Sequence, residues 1–133
     1  MLEKIINLQN QKMALEMATF EKKDLVSKRT KAIVKDSIEN IKIQGPSISF
    51  LFKRKADLEP ASIFTLEIIF SYSASIDEES FKMMQQEGKS LSDSDFIGIV
   101  NNTAIPQNAS LIISNLTSIN GGNPLITPPM FIK

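Results

Sequence analysis

Two carboxylate clusters are the groupings in this chain with the makings of chemistry: Asp77, Glu78 and Glu79 in "SIDEES", and Asp93 with Asp95 in "LSDSDF". Carboxylates can hold magnesium or act as acid and base. Both clusters lie in loop-like sequence, the first between two strand-like runs and the second just before an apolar run, so a solvated turn or a helix cap is the favoured reading. The chain contains neither histidine nor cysteine. It therefore cannot build a Ser-His-Asp triad, a Cys-His pair or a histidine-ligated zinc site. There is no GxGxxG and no GxxxxGK[ST], and "NGGN" at Asn120 to Asn123 reads as a helix terminator rather than a phosphate cradle. The expectation is a protein that is not an enzyme, with no catalytic residue, no metal ligand and no cofactor.

A length of 133 residues with 42% apolar content suits one compact domain with a modest core. Fifteen Lys plus Arg balance fifteen Asp plus Glu. No global charge steers the molecule towards nucleic acid or anionic lipid, so neither is an expected partner. "MLEKIINLQNQK" mixes charges into its apolar residues, unlike a signal peptide, and no run approaches a membrane span. Without cysteine there is no disulfide framework, and the cytoplasm is the expected compartment. The sequons at Asn101, Asn108 and Asn115 then read as polar helix positions.

The elements that must carry any surface follow from periodicity. Leu2, Ile6, Met13, Met17 and Phe20 fall at helical spacing, which predicts an amphipathic helical arm over residues 1–32, ahead of a domain over 33–133. "KKDLVSKRTK", from Lys22 to Lys31, is the one locally basic stretch and reads as a solvated face. The period then changes to two. "SIENIKIQGP" predicts a strand ending at Gly45 and Pro46. "SISFLFKRK" predicts a second, with Ile48, Phe50 and Phe52 on one side, running into a charged loop through Pro60. "IFTLEIIFSYSAS" is the clearest strand, with Phe64, Leu66, Ile68, Phe70 and Tyr72 on one face. "SFKMMQQEG" reads as a fourth strand or a helix, and the acidic "DEE" before it suits a hairpin. Ile105, Ala109, Ile112, Leu116 and Ile119 return to helical spacing, with Pro106 in the first turn. Pro124, Pro128 and Pro129 then fix an extended tail whose Leu125, Ile126, Met130 and Phe131 need something to pack on.

A proline-led helix closed by a glycine turn and followed by "PLITPPMF" resembles the end of the core of the SecB protein-export chaperones, whose chains typically read "FPYAR" then "PL.L.P.NF". "ENIKIQGP" is similar to that family's first-strand ending, and "SYSASIDEESF" to its strand, acidic turn, strand passage. The resemblance spans roughly Ile33 to Phe131 in the right order. It implies an α+β fold in which an antiparallel sheet of about four strands has helices packed on one side. It also implies a homo-oligomer, dimer or tetramer, that holds unfolded or partly folded protein clients in apolar grooves without cofactor or catalysis.

Departures matter as much. The family's helix arginine and tyrosine fall near Ala109 and Gln107, and the acidic positions that dock the translocase motor fall at Asn40 and Gln44, which argues against motor binding. The second long helix after "NF" is missing, whereas the N-terminal arm is extra. A holdase dedicated to one client, such as an antitoxin, fits these departures. The alternative is a non-chaperone oligomeric interaction or accessory protein of phage or mobile-element origin, whose apolar face is a fixed interface. For either role the candidate client-binding or interface residues are Phe50, Phe52, Phe64, Leu66, Phe70, Tyr72, Ile112, Leu116, Leu125, Ile126, Met130 and Phe131. Apolar strand residues equally suit plain core.

Overall fold

Alternation of apolar and polar residues from Ile48 onwards builds the centre of a sheet. In the computed structural model, which describes residues 7–22, 31–59, 64–119 and 125–132, β3 (Ser47–Glu59) and β4 (Phe64–Ile76) are the two inner strands. β1 (Leu8–Lys22) pairs with β4 and β2 (Lys31–Gln44) with β3, giving an antiparallel four-stranded sheet in the order β1-β4-β3-β2. Three helices follow: α1 (Glu78–Gln86), α2 (Asp93–Asn101) and α3 (Ile105–Ile119).

A period of two sends alternate side chains to one face. Ile48, Phe50, Phe52 and Ala56 of β3 and Leu66, Ile68, Phe70, Tyr72, Ala74 and Ile76 of β4 are all buried there. The register sets Phe50 opposite Tyr72 and Phe52 opposite Phe70. The Phe50 and Tyr72 rings stack at 4.9 Å, and Phe96 of α2 meets Phe50 edge-on at 5.7 Å. Burying each such ring contributes about 2 kcal/mol. Helix α3 lays Ile105, Ala109, Ile113 and Thr117, a strict four-residue step, into the core, while Leu111 faces outwards. The sheet is thus helix-covered on one side, as the resemblance implies.

Three expectations are corrected. The segment expected as a helical arm is β1 over Leu8–Lys22. Its register slips between Gln9 and Lys12 and again between Leu15 and Met17, so Met13 and Leu15, then Ala18 and Phe20, oppose Tyr72, Phe70, Ile68 and Leu66. One extra residue between 15 and 18 stretches a period of two into steps that imitate a helix. Second, of the two readings of "SFKMMQQEG" the helix holds and the strand of a hairpin does not: residues 80–86 lie in α1, because Asp77 accepts from the Ser80 amide as N-cap and Glu78 and Glu79 occupy the first turn. Third, the charged loop expected after "SISFLFKRK" is strand as far as Glu59, since β3 runs through "ADLE".

The two edge strands share a device. β2 also carries a bulge, between Glu39 and Lys42, and each bulged strand holds an asparagine at positive φ, Asn10 at 55° and Asn40 at 54°. Asparagine tolerates this conformation better than other non-glycine residues. Between β2 and β3 a two-residue turn places Gly45 at φ 58°, where Pro46 can follow at its fixed φ. "NGGN", Leu2, Ile6 and most of the basic stretch lie outside the described residues.

Candidate binding surface and the tail

The carboxylate clusters go to helix ends. Asp77 caps α1, and Ser92 and Asp95 form a reciprocal capping box on α2. Among the described residues no three acidic, histidine or cysteine side chains come together in a metal-binding group. The sequons Asn101, Asn108 and Asn115 sit exposed on α2 and α3.

The candidate apolar residues divide by exposure. Phe50, Phe52, Leu66, Phe70 and Tyr72 are buried beneath the helices, while Ile112, Leu116, Leu125 and Phe131 are half-buried against that core. Ile126 and Met130 are exposed, at 75% and 56%. The Phe64 side chain lies outside the described residues. The tail does have something to pack on: it crosses the helix-side face of its own sheet, and the Phe131 ring meets Phe52 edge-on at 6.0 Å.

What fixes that path is a residue the alternation should have flagged. Arg54 continues the inward row of Ile48, Phe50 and Phe52, and its side chain is wholly buried. Asp36, opposite it on β2 and in line with Val34 and Ile38, is wholly buried too. Arg54 Nε and Nη2 donate to the two Asp36 carboxylate oxygens at 2.8 Å each. This is the bidentate pairing that suits a buried guanidinium. The remaining donors turn to the tail. Nη1 reaches the Pro128 carbonyl at 2.7 Å, with Ser110 and Thr127 hydroxyls at 3.0 Å, and Nη2 reaches the Met130 carbonyl at 2.7 Å.

The body also reads the tail's amides. Asp36 Oδ2 accepts from Ile132 N–H, Asn101 Oδ1 from Phe131 N–H, both at 2.7 Å, and Thr117 Oγ1 from Leu125 N–H at 2.8 Å. Among the described residues no buried side-chain polar atom lacks a partner. Arg54 hid in the sequence because "KRK" looks like a solvated charge run; its even-numbered place in the inward row was the available signal.

Apolar side chains that the helices leave uncovered flank this core. Met13 and Leu15 oppose Tyr72 and Phe70, so they share the inner face, yet they are 45% and 47% exposed at the β1 margin. At the other margin Ile41 and Ile43 of β2 are also exposed. Ile38, Ile41, Phe96, Ile97 and Phe131, with Asp93 at the rim, line a cleft of about 210 Å³ between β2 and α2. Towards β1 the Tyr72 hydroxyl donates to Gln11 Oε1 at 2.9 Å, and burial pushes its pKa up to about 12.

No family model and no curated protein matches the sequence. Solved structures do match. The SecB-like chaperone of Mycobacterium tuberculosis, in complex with a ChAD peptide from the HigA1 antitoxin, is similar over 92% of this chain and 87% of its own, with TM-score 0.58 and 9% identity. A protein of unknown function from Streptococcus agalactiae is similar over 94% of this chain and 99% of its own, with TM-score 0.50 and 9% identity. At such identity the likeness is one of fold: SecB-like, four antiparallel strands with helices on one side, in which "ENIKIQGP" closes β2 rather than a first strand and "SYSASIDEESF" passes from β4 into α1 rather than into another strand.

Proposed function

We propose that the chain is an ATP-independent holdase chaperone of the cytoplasm, not an enzyme, that binds unfolded or partly folded polypeptides through apolar side chains left exposed at the margins of its helix-covered face. The observation that carries this reading is the exposure of Met13, Leu15, Ile41, Ile43, Ile126 and Met130 around a closed core. Such side chains favour apolar segments with little regard to sequence, and methionine adapts to many shapes. A peptide-bound SecB-like neighbour supports a protein client, and an antitoxin is the client class it suggests.

Dedication to one client fits Asn40 and Gln44 better than export does, since neither supplies a negative charge for a translocase motor. Pairing of copies along the open edges of β1 or β2 is the proposed route to a dimer or tetramer. Those open edges also favour the second reading, in which the exposed set is a fixed interface between copies of an accessory protein. Light scattering from a chemically unfolded, aggregation-prone protein diluted with near-equal subunits of this chain separates the two. Suppression without ATP is the expected result. A folded oligomer that leaves aggregation unchanged and binds no apolar dye would overturn the chaperone reading in favour of the second.

A further inference from the structure

The segment 125–132 is held as a bound peptide would be. Its carbonyls at Pro128 and Met130 are taken by Arg54, its amides at Phe131 and Ile132 by Asn101 and Asp36, and one large side chain, Phe131, packs on Phe52 and forms a wall of the apolar cleft. All four contacts address the main chain, which every polypeptide shares. Among the described residues the one polar side-chain contact beside them is the Thr127 hydroxyl, which meets Arg54 Nη1 at 3.0 Å and Ser110 Oγ at 2.8 Å. Pro128 and Met130 present carbonyls two residues apart, the spacing at which an extended chain turns the same edge to its receptor.

Resting on the chaperone reading above, we infer that this cradle is a docking surface for an extended segment of unfolded polypeptide bearing a large apolar side chain, and that the tail is its resident occupant, displaced when a client binds. Exchange satisfies the buried charges throughout. Arg54 keeps both bonds to Asp36, and a client main chain supplies two carbonyls and two amides in place of those the tail withdraws. A segment that cannot offer an extended main chain, such as a folded surface or a formed helix, cannot replace the Pro128 and Met130 carbonyls on Arg54 and is rejected. The cradle thereby distinguishes unfolded from folded chains by the state of their backbone.

The tail can be locked in place. The chain has no cysteine, and Ser110 Oγ lies 2.8 Å from Thr127 Oγ1. S110C with T127C therefore creates a single disulfide, whose sulfurs sit about 2.0 Å apart, between α3 and the tail. The probe is fluorescently labelled, reduced and carboxymethylated α-lactalbumin, which is permanently unfolded and carries no free thiol; anisotropy reads its binding to the full-length protein. Oxidised and reduced forms of the same variant share any cost of the substitutions. The inference expects the oxidised form to bind at least about tenfold more weakly than the reduced form. It also expects Phe131→Ala, which loosens the tail without touching Arg54, to bind several-fold more tightly than wild type. Equal binding by the oxidised and reduced forms, with wild type also binding, overturns the displacement of the tail and leaves the chaperone reading standing. Absence of binding by every form overturns both.

Discussion

The two flanks of one sheet face are finished differently. On the β2–β3 flank a buried ion pair, with Ser110 and Thr127, draws the tail across the core and leaves Ile41 and Ile43 exposed only at the strand margin. On the β1 flank Met13 and Leu15 continue the same apolar rows and remain about half exposed. Hydrophobic alternation alone does not decide which flank closes. A polar residue in an inward position does, because a buried guanidinium must find acceptors and the tail's carbonyls are where it finds them.

That contrast predicts very unequal responses to substitution. Arg54→Ala strands the Asp36 carboxylate in the core and frees the tail, so denaturant unfolding should show a loss of about 3–5 kcal/mol. Replacing both partners with apolar residues, Arg54→Met with Asp36→Leu, should recover much of it in the same measurement. Phe131→Ala removes a half-buried ring from Phe52 and should cost about 2 kcal/mol. Ser92→Ala deletes the capping box of α2, far from both flanks, and should cost about 1 kcal/mol by thermal melts. On the open flank, Met13→Ser and Leu15→Ser should each change stability by about 0.5 kcal/mol or less, while weakening suppression of aggregation.

Tyr72 tests how closed the boundary between the flanks is. It is the single tyrosine, and there is no tryptophan, so its ultraviolet titration is unobscured. Its folded pKa is raised to about 12 by burial, against about 10 when unfolded. The folded state thus holds the phenolic proton more tightly. Its contribution to stability is full below about pH 10 and is lost as the pH rises through about 12. A folded-state midpoint near 10 would mean that water reaches the hydroxyl past Gln11.

The central strands were legible because Ile48 to Phe52 and Leu66 to Tyr72 keep an unbroken period of two, and α3 because Ile105, Ala109, Ile112 and Leu116 keep steps of four and three. The caps at Asp77 and Ser92 could be read from their residue types. β1 was not legible, since two register slips turned its apolar spacing helical. Nor was Arg54, whose meaning depends on Asp36, eighteen residues away in sequence, and on a tail more than seventy residues away. The candidate site suffered in the same way. Alternation identified the apolar face but not which of its residues the helices would cover, so the aromatic candidates Phe50, Phe52, Phe70 and Tyr72 lie in the core, while the exposed Met13, Leu15, Ile41 and Ile43 were not among the site candidates.

The most direct test of the account places a photo-crosslinking amino acid at one position at a time, Leu15, Ile43 or the outward Glu79 of α1, and irradiates the protein while it holds an unfolded client. The account predicts client adducts from Leu15 and Ile43 and none from Glu79. Adducts spread evenly over all three positions, or absent from Leu15 and Ile43 while aggregation is still suppressed, would contradict it.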